Sequence, residues 1–87
     1  MAWALQIWSA VFCRHLDLLP RGIQADITRN VDELGTRLDT WPHDRLQGRS
    51  EFKFRVGDFR VHYDFDLVAG KLYLLYLGNR RETYKRT

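Results

Sequence analysis

The chain predicts an α+β domain: an N-terminal strand, a two-helix antiparallel hairpin, then a three-stranded antiparallel meander, forming one sheet with both helices on one face. Two observations carry this reading. Apolar residues recur with period two near the N-terminus and through residues 51–66, and with helical spacing in between. Gly, Pro and Ser punctuate the chain where each element should begin or end.

In "WALQIW", Trp3, Leu5 and Ile7 alternate with Ala4 and Gln6, which predicts a strand over 3–8. Ser9 can cap a helix over 10–18, with Val11, Phe12, His15 and Leu16 on one face. Pro20 suits the start of a second helix because a first-turn amide needs no partner. Ile23, Ile27, Val31 and Leu34 follow at helical spacing, and Gly35 reads as the stop. Residues 36–49 read as an ordered connection pinned by Trp41 and Leu46. Strands are predicted over 51–56, 59–66 and 71–77, with turns at Gly57-Asp58 and near Ala69-Gly70. The last, "KLYLLYL", is apolar on both faces and belongs in the sheet interior.

With 87 residues, 45% hydrophobic and 29% charged, the chain reads as a single globular domain spanning 1–87. The one cysteine, Cys13, allows no internal disulfide or Cys-pair metal site, as suits a reducing cytoplasm. His15, His43 and His62 lack ligand spacing, so no metal or other cofactor is expected. The apolar start has no basic region before it and meets Arg14-His15 before spanning length, which argues against a signal peptide or membrane helix. Residues 1–77 carry ten Lys/Arg and ten Asp/Glu, so the net charge of +3 resides entirely in "GNRRETYKRT".

The hairpin "EFKFRVGDFRVHY" concentrates the chemistry. A two-residue turn at Gly57-Asp58 sets Arg55 opposite Arg60 and Lys53 opposite His62, and like charges so placed repel. The bland explanation is a solvated face on which Glu51 and Asp64 neutralise Lys53. The alternative is a phosphate site: Lys53, Arg55 and Arg60, joined by Arg80 and Arg81 from the end of the last strand, would converge on an anion. Tyr84 lies in the same basic tail, where cations favour its phenolate, and it either packs or acts on a base or a 2′-hydroxyl.

The stretch "LQGRSEFKFRVGDFRVHYDFD", followed by a strand and "LGNRRETY", resembles the RelE/ParE toxin superfamily, particularly its RelE-type branch. The resemblance rests on Leu-x-Gly (46–48), the basic pair Lys53-Phe54-Arg55, "GDFRVHY" (57–63), Gly78-Asn79-Arg80 and a tyrosine a few residues on. It extends over nearly the whole chain, and the order of the motifs is more specific than any one of them.

The resemblance implies a toxin of a type II toxin–antitoxin module, a metal-independent endoribonuclease that cuts translated mRNA in the ribosomal A site. Its implied partners are the ribosome with its mRNA and a small antitoxin encoded beside it, with operator DNA bound only through the antitoxin complex. It further implies that Lys53 and Arg55 hold the RNA phosphate with Arg81 nearby, that Arg60 and Arg80 stabilise transition-state charge, and that Tyr84 activates the ribose 2′-hydroxyl. His62 stands where relatives commonly have an apolar residue and reads as an auxiliary acid/base or a polar substitution; Asn79 replaces a frequent His or Lys. A ParE-like gyrase inhibitor and a catalytically decayed, antitoxin-binding member are the alternative readings.

Overall fold

The computed structural model describes residues 3–79. In chain order the elements are β1 (Leu5–Trp8), α1 (Ala10–Asp17), α2 (Arg21–Thr36), β2 (Asp44–Arg45), β3 (Phe52–Val56), β4 (Phe59–Asp66) and β5 (Lys71–Asn79). The strands form one mixed sheet in the order β1-β5-β4-β3-β2, antiparallel except for the parallel β1–β5 pair. The predicted helical hairpin and meander are present. The strand β2, inside the segment read as a connection, is an addition at the sheet edge.

Local chemistry explains the boundaries. Ser9 caps α1 by accepting a hydrogen bond from the Phe12 amide at 3.0 Å. Gly35 does not stop α2, which runs on to Thr36. Its role is close approach instead: it is buried, and a Cβ added there would stand 3.8 Å from both Gln6 and Leu72. Gly57 opens the β3–β4 turn with φ 61°, and no other residue type in the described chain adopts positive φ. That combination fits a type II′ turn, whose twist matches the flanking strands.

One face of the sheet meets the helices. Phe12 and Leu16 of α1 and Ile27, Val31 and Leu34 of α2 are buried with Val61, Tyr63, Leu72, Leu74 and Leu77 of β4 and β5. A β-bulge makes β5 fit: Tyr63 pairs with Leu74 and His62 with Tyr76, leaving Leu75 as the extra residue. The bulge returns Leu77 to the core and turns Tyr76 to the other face beside His62. Beyond Trp8 the free edge of β5 is covered by α1, whose Ser9 hydroxyl donates to the Leu75 carbonyl at 2.9 Å and whose His15 ring bonds the Leu77 carbonyl.

The connection is pinned differently from expectation. Trp41 does pack against the core, edge-on to Phe54, but Leu38 is the fully buried residue there and Leu46 is only half-buried. His43 completes the anchor. Its Nδ1 meets the Tyr63 hydroxyl at 2.6 Å and its Nε2 meets the Leu38 carbonyl at 2.8 Å, while its ring stacks on Phe65. A carbonyl can only accept, so Nε2 carries the proton and Nδ1 accepts from Tyr63. Burial first, then the Asp44 charge, pushes the Tyr63 phenol well above its ordinary range, which keeps it a donor.

The apolar half of β1 is turned away from the helices. Ala4 is buried, whereas Trp3, Leu5 and Ile7 are exposed, the last two aligned with Lys71 and Tyr73 of β5. The sheet face opposite the helices is therefore divided, apolar along β1 and cationic along β3 and β4. No helix among the described residues is long and apolar enough to cross a membrane.

Candidate functional site

The turn at Gly57-Asp58 fixes the register predicted from sequence: Arg55 pairs with Arg60, and Lys53 with His62. Strand alternation then puts Lys53, Arg55, Arg60 and His62 on the face opposite the helices, since Phe54, Val56, Phe59, Val61 and Tyr63 face the core. Opposed side chains in such a pair have Cβ atoms about 4.5–5.5 Å apart, so the two guanidinium stems share one narrow strip.

No ion pair among the described residues reaches Lys53, Arg55 or Arg60. Glu51 pairs with Arg49 at 3.4 Å, and Asp64 accepts from the Phe65 amide at 2.8 Å. Neither acid forms an ion pair with Lys53. Asp44 lies across from Lys53 on β2, but no ion pair forms between them. The described ion pairs all lie outside the Lys53, Arg55 and Arg60 set. Relieving the repulsion should stabilise the fold: Arg55→Glu, which sets opposite charges across the hairpin, is expected to raise unfolding stability by about 0.2–1 kcal/mol in low salt. Urea unfolding checks this, and the gain should shrink at high ionic strength.

His62 sits at the inner end of the strip. Its Nε2 is buried without a hydrogen-bond partner, and its ring tilts against Tyr76 with centroids 4.9 Å apart. Burial lowers its pKa from the ordinary 6.5; Glu51 opposes the shift, and Arg60, Arg49 and Lys53 add to it. The imidazole is therefore neutral near pH 7 and offers a base rather than a fourth cation. A depressed folded-state pKa means that the unfolded chain binds the proton more readily. Stability should consequently fall as pH drops below 6.5 and level off once the folded imidazole protonates. In chemical unfolding across pH 4–8, His62→Gln should flatten that part of the profile.

Lys53, Arg55, Arg60 and His62 are thus brought together. Arg80, Arg81 and Tyr84 lie outside the described residues; β5 ends at Asn79, which pairs with Phe59 beside Arg60. Sequence reasoning missed Tyr76. Its ring reaches over Gly78, where an added Cβ would come within 2.6 Å of the phenol oxygen, so the glycine of the Gly-x-Arg motif leaves room for this ring. An aromatic residue two positions before that glycine was the available signal. No group of three or more His, Cys, Asp or Glu among the described residues could hold a metal ion.

Neither a family model nor a curated protein matches the sequence. Solved structures do. The chain is similar to the RelBE2 toxin–antitoxin complex from Mycobacterium tuberculosis (TM-score 0.77, 21% identity, covering 92% of this chain and 94% of that one). The chain has the RelE fold. The archaeal RelE–RelB complex from Pyrococcus horikoshii OT3 superposes with TM-score 0.73 at 20% identity, covering 92% of this chain and 97% of that one. The isolated E. coli RelE toxin gives 0.72 at 12% identity, covering 95% and 97%. On this RelE fold the cationic strip occupies the open face of the β3–β4 hairpin, leaving its core face to packing.

Proposed function

We propose that the protein is the toxin of a type II toxin–antitoxin module and a ribosome-dependent endoribonuclease. The observation that carries this reading is the strip of Lys53, Arg55 and Arg60, none of them in an ion pair among the described residues, on the open face of a RelE fold. Such a cluster is costly until an anion occupies it, and guanidinium forks suit phosphate.

The reaction needs no metal in this account. The ribose 2′-oxygen attacks the adjacent phosphorus in line, the bond to the 5′-oxygen breaks, and a 2′,3′-cyclic phosphate forms. Tyr84, as phenolate, takes the 2′-hydroxyl proton, and the departing 5′-oxygen regains one from solvent or a nearby acid. Lys53 and Arg55, with Arg81, hold the backbone; Arg60 and Arg80 stabilise charge building on the phosphoryl oxygens, usually the largest electrostatic contribution. Arg and Tyr are weak proton carriers, so the ribosome must supply positioning.

The neighbouring RelE–RelB structures are toxin–antitoxin complexes, which supports a small adjacently encoded antitoxin as cytoplasmic partner, with operator DNA reached through that complex. Expressing the chain in a bacterium and mapping 5′ ends of a translated reporter tests the reading. Codon-phased cuts that vanish with Arg80→Ala and weaken with Tyr84→Phe are expected. Growth arrest with intact mRNA and DNA damage would overturn it in favour of gyrase poisoning.

A further inference from the structure

We infer that the open face carries, beside the phosphate strip, a slot for one unpaired nucleobase, with Tyr76 as its stacking platform. This deepens the RNA-cleavage reading and rests on it.

A cavity of about 410 Å³ opens between the bulge in β5 and the start of β3. Its apolar wall is Val11 and Leu75, its aromatic wall Tyr76 and His62, and its polar rim Arg49, Glu51 and Arg60. Tyr76 is 37% exposed, so part of the residue is available to a ligand. The rest is braced: His62 tilts against it at 4.9 Å, His15 meets it edge-on at 5.3 Å, and it lies over Gly78. His15 is itself tied to the Leu77 carbonyl. A preorganised aromatic ring loses little freedom when a base stacks on it.

Each remaining feature narrows the occupant. A phosphate alone would not use the apolar and aromatic walls, whereas a base has a π-face for Tyr76 and an apolar rim for Val11 and Leu75. His62 lines the same slot, and its ring carries a buried Nε2 that has no hydrogen-bond partner, so a small shift of the ring on binding would let that nitrogen meet the edge of a base. Glu51 and Arg49, paired at 3.4 Å at the rim, offer an acceptor and a donor to the same edge. Arg60 belongs to both the cavity and the phosphate strip, so a nucleotide can place its base in one and its phosphate on the other. A flat ligand with mixed donors and acceptors on its edge and an attached phosphate is a nucleotide of single-stranded RNA.

An NMR titration of the full chain with the four nucleoside 5′-monophosphates and with ribose 5-phosphate tests this. Ribose 5-phosphate is expected to shift signals of Lys53, Arg55 and Arg60 only. The nucleotides should also move Tyr76 ring and His62 signals and bind at least about fivefold tighter, the lower end of base–aromatic stacking. Tyr76→Ala should abolish that gain while leaving ribose 5-phosphate affinity intact, and His62→Gln should alter the ranking of the four bases. If ribose 5-phosphate binds and the bases add neither affinity nor shifts at Tyr76 and His62, the slot is refuted and the phosphate site stands. If neither ligand disturbs Lys53, Arg55 or Arg60, the slot is refuted, and the RNA reading stands or falls separately on cleavage of ribosome-bound mRNA. Shifts at Tyr76 from an aromatic peptide but not from nucleotides would assign the cavity to a protein partner and overturn the proposal.

Discussion

Arg60→Ala should slow mRNA cleavage on the ribosome by about 10²–10³-fold, the loss typical when one preorganised donor to a transition-state oxyanion is removed. Arg60 is half-buried, projects from the middle strand of the sheet, and lies opposite Arg55 with no anionic partner among the described residues. Its guanidinium is thus aimed and unspent. The variant removes a repulsion, so its unfolding stability should equal or slightly exceed that of the parent chain. Single-turnover cleavage beside urea unfolding separates the two effects. A variant that cleaves normally, or that loses activity only in proportion to lost folding, would remove Arg60 from the chemistry.

Phe12→Ala should be the most damaging change to the fold. Phe12 is fully buried, meets Trp8 edge-on at 5.2 Å, and sits where α1 closes over the end of β5. Large-to-small substitutions of this kind cost about 3–5 kcal/mol. A domain of this length has only roughly 4–13 kcal/mol in all. Thermal unfolding should therefore begin at least about 12 °C earlier. Val68→Ala, at a fully exposed loop position, should leave the midpoint unchanged. A Phe12 variant as stable as the Val68 control would contradict the account of the core.

The contrast between these residues shows what the sequence makes legible. The cationic strip could be placed because one short turn fixes the hairpin register, and a period of two then assigns every side chain to a face. The β5 strand resisted such reading. In "KLYLLYL" both faces are apolar, so nothing marks Leu75 as the bulge residue or Tyr76 as the one turned outward. In the first strand the alternation marks a strand without saying which half is buried: Trp3, Leu5 and Ile7 are exposed, while Ala4 is buried and Gln6 reaches Asp32 of α2. Gly35 read as a helix stop because glycine serves both ends of helices and close contacts, and only tertiary structure distinguishes them. The His43 anchor spans twenty residues to Tyr63, a distance across which spacing carries no signal. Of the candidate site, the hairpin half was readable; the half carried by Arg80, Arg81 and Tyr84 lies outside the described residues.

The chemistry itself gives the most direct test. Ribosomes carrying a defined mRNA are incubated with the purified chain, the fragment ends are identified, and the reaction is repeated with a single 2′-deoxy nucleotide at the cut position. Fragments ending in a 2′,3′-cyclic phosphate and beginning with a 5′-hydroxyl, and no cut at the 2′-deoxy site, are the predicted result. Intact mRNA, or cleavage that persists at the 2′-deoxy site and leaves 5′-phosphate ends, would contradict it.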